Sequence, residues 1–286
     1  MPVLPPVLVV GATGQQGSAV VRALQALPQP PQIKVISRNP SSPSAQKLKE
    51  QGIEVVKGDL SDIGSLETAL QGVGSAFLVT TISGKNGPTE DQMGKNFVTA
   101  AQRTSLPFLV FSSVSDATPT CGIPHFETKA KVEEALKASG LRHAVVAPVA
   151  FADNFPKQSG FSLTMVLGLF EAALKGKKLQ VVAVSDIGYV AAEAFNNPER
   201  YAGRHIKLAG DSLTMSEIRD IYSRVEKKGV WKGWLPSPVI SLLPYDFKMM
   251  MRMFGEKGYT ADIEALRKEF PKLHTYEQWL RSTKDA

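Results

Sequence analysis

Along the first half of the chain, short apolar runs alternate with stretches whose apolar residues recur every three or four positions. The runs predict strands at Val7–Val10, Gln32–Ser37, Ile53–Lys57, Ser75–Thr80, Pro107–Ser112 and Arg142–Pro148. Between them the helical period predicts helices near Ser18–Leu27, Ala45–Gln51, Ile63–Leu70, Thr89–Arg103 and Phe126–Ser139. Several of the strands are apolar almost throughout, the mark of strands covered on both faces. Strand and helix alternating with short links, joined by right-handed crossovers, predict a doubly wound parallel sheet, an α/β fold.

The pattern loosens after Ala150. A helix is expected at Phe161–Leu174, a strand at Leu179–Val184, a helix at Ser185–Phe195 and a strand at Arg204–Leu208. From Leu213 the segments read as mainly helical, apart from a Pro- and Trp-rich loop around Val230–Pro244. The division predicted is a sheet domain over residues 1–150 and a smaller, mainly helical lobe over 151–286. Residues 179–208 are expected to interleave with the sheet. No repeat at a fixed period is visible.

Composition narrows the classes. With 43% hydrophobic and 21% charged residues over 286 positions, the chain can bury a core without staples. Cys121 is the only cysteine, so no intrachain disulfide can form, and four scattered histidines predict no metal site. The net charge of +6 is spread along the sequence with no basic arm, so no nucleic-acid partner is expected. The stretch Ala144–Ala152 is interrupted by Pro148 and falls far short of the roughly 20 residues a membrane helix needs. No membrane association is therefore expected. With no basic segment before Val7–Val10, a cytoplasmic location is the expectation.

The sharpest chemistry follows the first strand. Gly11-Ala-Thr13-Gly14-Gln15-Gln16-Gly17 joins it to the first helix. The first glycine permits a tight turn, the second lets backbone N–H groups approach a pyrophosphate, and the third lets helix and strand pack closely. The helix N-terminus then offers partial positive charge to the phosphates. This is the dinucleotide-binding loop of a Rossmann sheet. At the end of the second strand stand Arg38, Asn39 and Ser41, where an NAD-dependent protein would carry an acid. An arginine offers its fork to a ribose 2′-phosphate, with Ser41 and Ser42 as added donors, so the cofactor expected is NADP(H). Gly58-Asp59-Leu60 ends the third strand beside the expected adenine, while Ser61 or Asp62 starts the next helix.

The glycine loop, the SRNP stretch (37–40), the KGDLSD turn (57–62) and Pro124–Glu134 together resemble the NmrA-like family, as do VSDIG (184–188), PERYAGRHI (198–206) and YEQWL (276–280). These are atypical members of the short-chain dehydrogenase/reductase group, and the resemblance runs from about residue 7 to residue 283. It implies NADP(H) held by Gly14 to Gly17, Arg38, Asp59, Leu60, Thr80, Thr81, Ile82, Lys129 and the stretch Phe151–Asn154. One departure stands out. A lysine that helps hold the cofactor in one sensor member of the family falls at Gln92 here, with Lys95 nearby in a different register. The family includes reductases and proteins that bind NADP(H) to report redox state.

Short-chain dehydrogenases use Ser, Tyr and Lys, the last two on one helix face. Here Ser112 and Ser113 end the fifth strand, and His125 stands in the tyrosine position, four before Lys129. Imidazole exchanges protons near neutral pH, so His125 reads as proton donor, substrate-orienting group or helix-start residue. The catalytic set expected is Ser113, His125 and Lys129. No G-x-S-x-G elbow accompanies either serine. The leading expectation is an NADPH-dependent reductase of a small organic C=O, C=N or activated C=C substrate, monomeric or homodimeric. The alternative is a non-catalytic NADP(H) sensor with a protein partner. Phe247–Phe254, with four methionines, is expected to fill the lobe core, or else to form an adaptable ligand wall. Trp231 and Trp234 mark either a lid or a fixed loop, and Cys121 is read as an inert thiol.

Overall fold

The computed structural model describes residues 5–81, 87–233, 240 and 242–284. They fold as two compact units. The first comprises Met1–Cys121, His125–Ala147 and Ile187–Ile206, and the second Gly122–Pro124, Pro148–Asp186 and Lys207–Ala286.

The first unit opens with β1 (Val7–Val9), α1 (Gln15–Gln25), β2 (Ile33–Ser37), α2 (Pro43–Glu50), β3 (Glu54–Lys57) and α3 (Ile63–Ala69). It continues through β4 (Ser75–Val79), α4 (Glu90–Arg103), β5 (Phe108–Ser112), α5 (Pro124–Ala138) and β6 (His143–Pro148). The strands pair in the order β3-β2-β1-β4-β5-β6, and β9 (His205–Leu208) adds at the β6 edge. Val9 sits opposite Val35 on one side and Phe77 on the other, all parallel. Leu8, Ala76, Leu78, Leu109, Phe111 and Val145 carry one buried layer, packed against Phe97 and Leu136 of the helices. The strand order reverses between β1 and β4. In an open parallel sheet that switch point, at the carboxyl ends, is where ligands bind.

Two short strands were not anticipated. β7 (Ala150–Phe151) and β10 (Asp211–Leu213) flank β8 (Leu179–Val182) in a separate three-stranded sheet. The segment at 179 therefore does not join the main sheet, whereas the one at 205 does. Val145 N–H donates to Arg204 O at 2.9 Å, and Val149 N–H to Leu208 O at 3.1 Å. Pro148 lacks an N–H to extend the ladder, and within two residues the chain enters the second sheet.

Within the second unit, a short 3₁₀ turn at Ala152–Asn154 follows β7, and α6 (Phe161–Leu174) precedes β8. α7 (Val184–Asn196) begins in this unit and continues into the first. α8 (Pro198–Tyr201) precedes β9, and α9 (Met215–Glu226), α10 (Tyr245–Glu256), α11 (Ile263–Glu269) and α12 (Tyr276–Ser282) complete the chain. Phe155, Leu167, Ile218, Tyr222, Met251, Phe254 and Trp279 form the core here, with Met250 and Met253 packed against it. Three of the four methionines of α10 thus serve packing.

Candidate functional site

β1 passes into α1 through a loop that only its glycines permit. Gly11 has φ +70°, and a Cβ there would meet Val79 Cγ1 at 2.9 Å. A Cβ on Gly17 would lie 2.2 Å from the Gly11 carbonyl oxygen, so backbone would have to move. Gly14 N–H donates to Gly11 O at 2.9 Å, and Gly14 caps α1 with no side-chain bond. The first-turn amides of α1 are therefore not engaged by a capping side chain, the arrangement that binds phosphate. Gln16, in that turn, accepts the Ser112 hydroxyl and ties the loop to the end of β5. Thr13 and Gln15 are exposed on the same turn.

At the end of β2, Arg38 and Asn39 are exposed. Asn39 Oδ1 accepts from Ser41 N–H at 3.0 Å, fixing the turn, while Ser42 Oγ accepts from Ala45 N–H and caps α2. At the end of β3, Asp59 accepts from both Ser61 N–H and Ser61 Oγ at 2.8 Å. The Ser61 backbone bond chiefly holds this carboxyl below its ordinary range; slight burial opposes, and the Ser61 hydroxyl and Arg38 charge help. Asp62 caps α3 through Ser65 N–H. Leu60 O accepts from Asn96 Nδ2 at 2.9 Å, and Asn96 in turn accepts from Gln92 Nε2. Gln92 thus braces the β3 turn, and Lys95 pairs with Asp91 at 3.0 Å.

A polar cluster sits beside the end of β4. Thr80 is buried there, and Glu90, the first residue of α4, is only 5% exposed. Its carboxylate accepts from Thr80 Oγ1 at 2.8 Å and Thr128 Oγ1 at 2.6 Å, and pairs with Lys129 Nζ at 2.8 Å. Lys129 Nζ also lies 3.3 Å from both Thr80 O and Thr80 Oγ1, and 6.0 Å from the Phe111 ring centre. Burial works to raise the Glu90 pKa, but the Lys129 charge and the three side-chain bonds together hold it below the carboxylate norm. A small residue makes the approach of these helices feasible. One turn below Glu90, a Cβ on Gly94 would fall 2.4 Å from Val132 Cγ2, one turn below Thr128.

His125 is partly exposed one turn before Lys129 and meets the Phe126 ring edge-on at 4.7 Å. Ser113, directly after β5, meets α5 further along that helix. Its buried hydroxyl donates to Glu133, whose other oxygen lies 3.2 Å from His205 Nε2. Glu133 follows His125 by eight residues, about 12 Å along a helix. The structure thus gathers Lys129 with Thr80 and Glu90, and Ser113 with Glu133 and His205.

Thr81 is exposed after β4, and Ile82 lies outside the described residues. Phe151 and Asn154 belong to the second unit, on β7 and the 3₁₀ turn. There Asp153 Oδ2 accepts from Val184 N–H at 2.8 Å. Trp231 is exposed, Trp234 lies outside the described residues, and Cys121 is half-buried. An open cavity of about 350 Å³ in the second unit is lined by Lys272, His274, Gln278 and Arg281, none of them proposed from the sequence as a site residue. Among the described residues, no three His, Cys, Asp or Glu side chains are grouped to hold a metal, and no helix is long and apolar enough to cross a membrane. Glu90 and Glu133 escaped the sequence reading because each looks like an ordinary helical acid; only the strand ends opposite show their use.

A glycine loop at the switch point of a doubly wound parallel sheet defines a dinucleotide-binding type of protein. More narrowly, the chain belongs to the NmrA-like family, whose model matches residues 5–280. It is 30% identical to quinone oxidoreductase 2 of Escherichia coli, over 74% of this chain and 71% of that one. Its fold is similar to the crystal structure of an NADPH-dependent quinone oxidoreductase from Escherichia coli complexed with NADPH. The TM-score is 0.77 at 23% identity, covering 97% of this chain and 99% of that one. It is also similar to NmrA, a negative transcriptional regulator, with a TM-score of 0.77 at 18% identity over 97% and 95% of the chains.

Proposed function

We propose that this protein is an NADPH-dependent oxidoreductase that reduces a small organic C=O, C=N or activated C=C compound, with quinones the first class to try. The observation that carries the reading is the glycine cradle, where a Cβ on Gly17 would strike backbone and the first-turn amides of α1 carry no capping side chain. Such a cradle fits a pyrophosphate. Gly11, Thr13, Gly14, Gln15, Gln16 and Gly17 would hold it; Arg38, Asn39 and Ser41 would take the 2′-phosphate, with Asp59 and Leu60 beside the adenine. Thr80, Thr81 and Lys129 would serve the nicotinamide end, and the family resemblance adds Ile82, Phe151 and Asn154 as cofactor contacts. The cofactor supplies hydride, and the protein supplies orientation and protons.

His125 is the group proposed to give the proton, and Lys129 would hold the ribose by exchanging its longer bonds to Thr80 while keeping Glu90. Ser113, with its hydroxyl on Glu133, would need to exchange that bond to meet a substrate. That engagement, together with His125 in the tyrosine position, favours a second reading: an NADP(H) sensor of the regulatory kind that answers to a protein partner. NADPH oxidation followed at 340 nm across quinones, aldehydes, imines and enones separates them. Turnover that falls at least tenfold in Lys129→Met supports the enzyme. Saturated cofactor with no oxidation of any acceptor sinks it.

A further inference from the structure

Lys129 presents three N–H donors, and the structure places Glu90 Oε1, Thr80 O and Thr80 Oγ1 within 2.8 to 3.3 Å of them. The side chain is only 13% exposed and its partner carboxylate 4%. Glu90 is itself fixed by the Thr80 and Thr128 hydroxyls, from two different elements. We infer that Glu90 is a positioning residue for the cofactor end of the site: it holds the Lys129 ammonium at the carboxyl end of β4. The inference rests on the NADP(H) reading above.

The physical case starts from the lysine. A lysine stem is flexible, and a buried ammonium without a counter-charge either loses its proton or turns to water. The paired carboxylate holds it in place, so cofactor meets a lysine already ordered. Glu90 touches no ligand in this account; it acts through Lys129. A purely structural rival exists, since the pair also links α4 with α5, and the two roles predict different couplings.

The test measures NADPH affinity by fluorescence titration for the wild type, Glu90→Gln, Lys129→Met and the double variant, with melting curves on each. Glu90→Gln should weaken NADPH binding about tenfold, comparable to losing a hydrogen bond to a charged group. In the Lys129→Met background, the same change should alter affinity less than twofold. Glu90→Asp, which keeps the charge, should fall between wild type and Glu90→Gln, and stands in if the glutamine variant misfolds. Unchanged affinity in both Glu90 variants overturns the inference, as does an equal loss with and without Lys129. A folded wild type that binds no NADPH overturns the cofactor reading itself, which separates the two failures.

Discussion

Arg38 stands exposed at the end of β2, its charge felt by Asp59 at the end of β3. If it receives a 2′-phosphate, Arg38→Ala removes charge-assisted bonds and should weaken NADPH binding about 10- to 100-fold while leaving NADH affinity nearly unchanged. Calorimetric titration with both nucleotides checks this; an equal loss for the two would remove the arginine from specificity. A second residue-scale expectation concerns Asp186, which is 1% exposed and accepts from both His274 Nδ1 and His274 N–H. The bond to Asp186 raises the His274 pKa, partly opposed by burial and helped by the aspartate charge. Burial also raises the Asp186 pKa, outweighing the pull of His274 in the other direction. The folded state therefore binds protons more tightly at both groups. The His274 share of stability is complete below its unfolded pKa of about 6.5 and is lost as pH rises through the folded value. Between pH 6 and 9 the wild-type melting temperature should fall more steeply than that of His274→Gln; parallel slopes would contradict this.

The helices α4 and α5 meet through Gly94 and Val132, and that approach is what lets Glu90 reach Thr128 and Lys129. Gly94→Val should force them apart, destabilising the protein by about 1–3 kcal/mol, and it should weaken NADPH binding as Glu90→Gln does. Melting curves with parallel titrations test it; a stable variant with unaltered affinity would show that the glycine is not needed. Most elements were legible because their apolar period is long enough to read. α6 was expected at Phe161–Leu174 and is found there. β7 and β10 escaped because two or three residues carry no period. The strand at Leu179–Val182 was visible as a strand, but its sheet was not, since pairing is decided by partners distant in sequence. The same limit applies to the site. The glycine loop and Lys129 announce themselves locally, whereas Glu90 and the Ser113–Glu133 bond exist only through tertiary approach.

At the scale of the molecule, the chain order and the compact units differ. Ile187–Ile206 returns to the first unit after the second has begun. Phe195 of α7 packs edge-on against Phe108 of β5 at 6.5 Å, and Arg204 O receives Val145 N–H. A fragment of residues 1–150 lacks both contacts and should unfold without a cooperative melt; a sharp transition close to that of the whole chain would contradict the interleaving. The central claim is simpler: the loop from Gly11 to Gly17 and the turn at Arg38 bind NADP(H). Its most direct test is calorimetric titration of the folded, full-length protein with NADPH, NADP⁺ and NADH. The account predicts one saturable site per chain for the first two, at least tenfold tighter than for NADH. No heat from either NADPH or NADP⁺, on protein shown to be folded, would contradict it.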